Sequence, residues 1–122
     1  MRTDLSPPDL SLGASAAHAR REPRNRLREA LLALAQGQAT ILSHDEKSWA
    51  SITFAGARHR LEMVFEGADA VAAGEQFIAF LPEHEFAIPG QLVADAAVTA
   101  VDHRLEPPRM QVSCELLLLE EG

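Results

Sequence analysis

Ala50, Ile52 and Phe54 alternate with Ser51 and Thr53, and beyond Ala55-Gly56-Ala57 a second run alternates Leu61, Met63 and Phe65 with Arg60, Glu62 and Glu66. Successive side chains on a strand point to opposite faces, so each run has one apolar and one polar face. Together they predict an antiparallel hairpin packed on one side.

The period changes on either side of this hairpin. Leu27, Ala30, Leu31, Leu34 and Ala35 recur at three- and four-residue steps, which predicts a helix that starts near Pro23 and is terminated by a left-handed Gly37. Ala39 to Leu42 reads as a short strand, and His44-Asp45-Glu46-Lys47 as a polar turn. The turn leads into the strand Ser48 to Phe54, and Arg58 to Glu66 completes a three-strand meander that Gly67 ends. Asp69 fits an N-cap, and Ala70, Val71, Gly74, Phe77, Ile78 and Leu81 follow at helical spacing up to Pro82. A competing reading makes Phe77 to Leu81 a strand; the spacing favours one helix. After the loop from Pro82 to Gly90, Leu92 to Leu105 and Met110 to Leu119 form a last strand pair, turned at Glu106-Pro107-Pro108-Arg109.

These elements predict an α+β fold in the order α-β-β-β-α-β-β, with two helices on one face of a mostly antiparallel five-stranded sheet, in two layers. Residues 1–21 lack sustained periodicity and read as a disordered tail; residues 22–122 read as one domain. On the final strand Met110, Val112, Cys114, Leu116 and Leu118 share a face, yet Leu117 and Leu119 make the opposite face apolar too. With Val64 they predict that part of the second face is covered, by a partner chain or by the tail.

Composition narrows the function classes. The 122 residues are 47% hydrophobic and carry a net charge of −7, and only five Phe and one Trp make up the aromatics. Acidity disfavours nucleic acid, and scarce aromatics disfavour base stacking. Arg20, Arg21, Arg24, Arg26 and Arg28 form a basic segment ahead of the acidic globule. Arg24 and Arg28 lie four apart on one helix face and could meet an acidic protein surface, including a second copy. Cys114 is the sole cysteine, so no intramolecular disulfide is possible and a reducing compartment is expected. No run approaches the roughly 18 apolar residues of a membrane span. Ala17-His18-Ala19 resembles a cleavage site, but Asp4, Pro7, Pro8 and Asp9 interrupt the apolar region an export signal needs, and we expect a cytoplasmic protein.

Candidate chemistry is sparse. His44-Asp45-Glu46 and Glu83-His84-Glu85 set imidazoles beside carboxylates, a donor set suited to a divalent metal if the turn and the loop met in space. His44, Asp45, His84 and Glu85 are the candidate ligands, with His103 a further donor; solvated turns are the commoner fate of such residues. Cys114 could act as a nucleophile with His103 or His59 as base, but its place on an apolar strand face favours a buried structural thiol. Asp102 and His103 are strand neighbours and face opposite ways, which counts against a dyad. No glycine-rich phosphate cradle is present, and no cofactor is specified.

The expected function is a non-catalytic cytoplasmic module that self-associates as a homodimer or binds another protein through Val64, Leu117, Leu119, Arg24 and Arg28. The alternative is a small-ligand or divalent-metal-binding protein, conceivably an enzyme, built on the 44–46 turn and the 83–85 loop.

Overall fold

A computed structural model describes residues 9–121, with side chains from residue 21 onward. The chain runs α1 (Asp9–Leu34), β1 (Ala39–Ala50), β2 (Ala55–Glu66), α2 (Ala68–Phe80), a 3-10 turn (Leu81–Glu83), β3 (Gln91–Leu105) and β4 (Pro108–Glu120). The four strands form one antiparallel sheet in the order β1-β2-β4-β3. The expected α+β class stands, but the sheet has four strands and not five. His44 to Lys47 is no turn. These residues continue β1, pairing residue for residue with Leu61 to Arg58. Polar side chains at an edge strand's inner positions hid the alternation there, since edges tolerate charge that central strands do not.

The reversal between β1 and β2 comes later, at Ser51 to Phe54. The Ser51 hydroxyl accepts from the Phe54 and Thr53 amides at 3.0 and 3.3 Å. A serine that bonds the backbone two and three residues on stabilises a turn, and here it outweighs the strand propensity of Ile52 and Phe54. Both apolar side chains consequently point into solvent.

Helix α1 begins upstream of the expected start. Pro23 lies inside it and not in its first turn, and the part of the expected tail covering residues 1–8 lies outside the described residues. Its C-terminus closes as expected by left-handed residues, though two of them: Gln36 at φ 59° and Gly37 at φ 69°. The Gly37 amide reaches the Leu32 carbonyl and the Gln36 amide that of Ala33, both at 2.9 Å, the paired bonds of a Schellman ending. In α2 the N-cap is Gly67 and not Asp69, which sits in the first turn. Residues 77–80 are helical, in line with one helix over this segment, and Pro82 is the second residue of the 3-10 turn that follows.

One face of the sheet carries the core. Leu27 and Leu31 of α1 with Ala35 just beyond its end, Val71 and Phe77 of α2, Leu61, Met63 and Phe65 of β2, and Met110 to Leu118 at alternate positions of β4 are buried together. Gly74 explains its own presence in a helix. A Cβ there would sit 3.0 Å from the Met110 sulfur and the Phe65 ring, so its absence lets α2 approach the sheet. Phe65 and Phe77 then meet with ring centroids 5.8 Å apart.

Candidate functional site

The outer face of the sheet closes on itself. Glu62 accepts from Gln111 Nε2 at 2.8 Å and from Ser113 Oγ at 3.1 Å, and Arg60 pairs with Glu115 at 3.1 Å. Arg109 reaches Glu66 at 3.4 Å. These cross-strand pairs flank Val64, which is only 4% exposed. Leu119 is 7% exposed, opposite Gly56 on one side and Leu92 on the other. Leu117 is half-buried. A single chain therefore shelters two of the three apolar residues expected to meet a partner.

The inner face holds a feature that sequence reading missed. His44 and His59 are both buried, and His44 Nε2 lies 2.9 Å from His59 Nδ1. His44 Nδ1 is buried with no partner. An unpaired lone pair is tolerated better than an unpaired N–H. That assigns the shared proton to His44 Nε2, which donates to His59 Nδ1, and leaves His59 carrying its hydrogen at Nε2. Burial, then the Arg24 guanidinium, push the His44 pKa down from 6.5 to about 3. Burial also lowers the His59 value, against the opposing pull of Glu46. Both rings are neutral at pH 7. No local motif marks this pair; His59 sits in phase with Leu61, Met63 and Phe65, whereas the bulge between Ile41 and Ser43 shifts the phase of β1 and hides His44 from the sequence pattern.

Arg24 is spent inside the molecule. Its Nη2 donates to the His44 carbonyl at 2.8 Å and its Nη1 reaches Glu46 at 3.5 Å, tying α1 to β1. Arg28 is half-buried on the same helix and adds to the field on His44. His59 and Glu46 also line a cleft of about 610 Å³ with Pro23, Trp49, Glu120 and Glu121.

The metal candidates do not converge. His44 faces the core beside His59, whereas Asp45, the next residue on β1, turns to the other face. His84 follows the 3-10 turn and packs edge-on against Phe86 at 4.5 Å. Among the described residues no three His, Cys, Asp or Glu side chains group closely enough to hold an ion. Cys114 is wholly buried, and desolvation with Glu115 and Glu62 nearby pushes its thiol up to about 12. A thiol so held stays protonated and is a poor nucleophile.

The remaining surface of note is the edge of β3. The strand is 15 residues long and not one of them is buried. Between Leu92 and Val101 its only charge is Asp95. From Thr99 to Leu105 every residue is exposed, including Val101 at 45% and Leu105 at 78%. No other strand pairs with this edge among the described residues.

The fold and these surfaces define a small two-layer α+β domain whose β1 edge carries a run of charges and whose β3 edge carries an uncharged stretch between Asp95 and Asp102. No protein family model matches the chain, and no curated protein does. Among solved structures it is similar to a chain from the virion of a native gene transfer agent particle, at 14% identity and a TM-score of 0.48, over 84% of this chain and 94% of that one. No helix among the described residues is long and apolar enough to cross a membrane.

Proposed function

We propose that this chain is an assembly module that binds protein through the free edge of β3. The observation that carries this reading is a 15-residue edge strand with no buried residue, exposed at every position from Thr99 to Leu105. An open edge offers unpaired N–H and C=O groups to another chain, and apolar side chains on it reward being covered. On β1 three consecutive charges, Asp45, Glu46 and Lys47, keep the edge solvated, a run that β3 lacks. The buried, protonated Cys114 and the enclosed histidine pair are consistent with a structural rather than a chemical role.

Site-specific photo-crosslinking tests this in cells that express the chain. A crosslinking side chain at Val101 or Leu105 should give protein adducts identifiable by tandem mass spectrometry, and one at Lys47 should not. Adducts at Lys47 with none on β3 would defeat the proposal.

A further inference from the structure

The β3 edge is not uniform. Its register against β4 slips between Val93 and Asp95 and again between Val98 and Ala100. Such bulges twist an edge and spoil it as a template. From Ala100 to Leu105 the pairing with β4 is unbroken, ending at Leu105 opposite Pro108. This six-residue stretch is regular and fully exposed.

Its side chains follow a self-complementary order. Val101, His103 and Leu105 share the face that carries the core, and Asp102 and Arg104 share the other, where Arg104 Nε lies 4.0 Å from Asp102 Oδ2. We infer that the partner at this edge is a second copy of the chain, its β3 antiparallel to the first about a two-fold axis through His103. The inference rests on the reading of β3 as the docking edge.

A two-fold axis normal to a continuous sheet keeps each copy's inner face on the same side, so opposite residues must share a face. Centring the axis on His103 sets Val101 opposite the partner's Leu105 and Asp102 opposite the partner's Arg104, each pair occurring twice. Both exposed apolar side chains gain cover, and both charges meet their opposites. The neighbouring registers that keep the faces aligned fail on charge. An axis through Asp102 sets two aspartates against each other. One through Arg104 opposes two arginines and sets Asp102 against Glu106. The result is an eight-stranded sheet with the helices of both copies on one face.

The experiment uses the full chain and has two readouts. The first is sedimentation. Arg104→Asp and Asp102→Arg each place like charges across the axis and should weaken the dimer about tenfold or more, and the double variant Asp102→Arg/Arg104→Asp should restore it. The second is covalent capture. His103→Cys sets two thiols on directly opposite residues, whose Cα atoms in an antiparallel pair are about 4.5–5.5 Å apart, within disulfide range. Mild oxidation should link that variant quantitatively. Thr99→Cys should not link, since its two copies would stand roughly 27 Å apart at about 3.4 Å per residue. Buried Cys114 does not compete.

A monomeric wild type, a double variant no better than the singles, or equal linking at both positions would overturn the second copy as partner. If photo-adducts on β3 then prove to be a different protein, the docking edge survives and only its occupant changes. If β3 gives no adduct of any kind, both readings fall.

Discussion

Along the β1 edge the chain sets Asp45, Glu46 and Lys47, and it ties α1 down through Arg24 on the His44 carbonyl. Along the β3 edge it sets Leu92, Val98 and Val101, and beyond Val98 it leaves every residue open. Both strands end the same sheet and face the same problem of unpaired backbone groups. The first is closed by charge and by the Arg24 side chain reaching it from α1, and two histidines are buried behind it. The second carries Asp95, Asp102 and Arg104, with an uncharged stretch from Ala96 to Val101 between them. A run of consecutive charges is effective against pairing, whereas charges of opposite sign two residues apart can be matched by a partner, so the two edges differ in where their charge lies.

The contrast can be broken most severely from the β1 side. Leu31 is fully buried and holds α1 in the core. Leu31→Ala should cost about 2–5 kcal/mol, seen as a lower urea midpoint with an unchanged slope. Acid attacks the same region through the histidine pair. Above pH 6.5 both imidazoles are neutral whether the chain is folded or not. Below that value the unfolded chain takes up protons that the folded chain refuses, until His44 itself titrates near 3. Stability is therefore complete above pH 6.5 and falls on acidification, by up to about 1.4 kcal/mol per pH unit for one such group. The lowered His59 value acts in the same sense. Thermal melts from pH 7.5 to 4.5 should show this decline, and His44→Leu should flatten it.

Smaller changes sharpen the comparison. Arg24→Met removes the charged donor on the His44 carbonyl and should cost about 1–2 kcal/mol by denaturant titration. Gln36 holds a left-handed conformation that glycine adopts freely, and only an exposed side-chain bond to Gln76 at 2.7 Å recommends it. Gln36→Gly should stabilise the chain by about 0.5–1 kcal/mol, read as a higher melting temperature. On the β3 edge, Val101→Lys with Leu105→Lys should leave monomer stability within about 0.5 kcal/mol, since neither side chain is buried. A large loss there would mean that this edge serves the fold of the single chain.

Much of the architecture is written in local pattern. The three-and-four spacing of Leu27, Leu31 and Ala35 and the alternation from Leu61 to Phe65 and from Met110 to Leu118 place these residues in the core, because each period allows one face to be buried. The turn expected at Glu106-Pro107-Pro108-Arg109 falls at that place but is shorter, Glu106-Pro107, with Pro108 opening β4 opposite Leu105. Local pattern misled where one residue overrode it. The Ser51 hydroxyl turned an apparent strand into a reversal, and polar residues at inner positions disguised the middle of β1 as a turn.

The sequence by itself determined the α+β class, the core stripes and the burial of Cys114, since periodicity and apolar volume act over a few residues. Only the tertiary structure decided that His44 meets His59, that Arg24 faces inward, that Val64 and Leu119 are already sheltered and that β3 lies at an edge. Each of those depends on which strands are neighbours, and strand order is set by long-range packing that no short stretch of chain encodes.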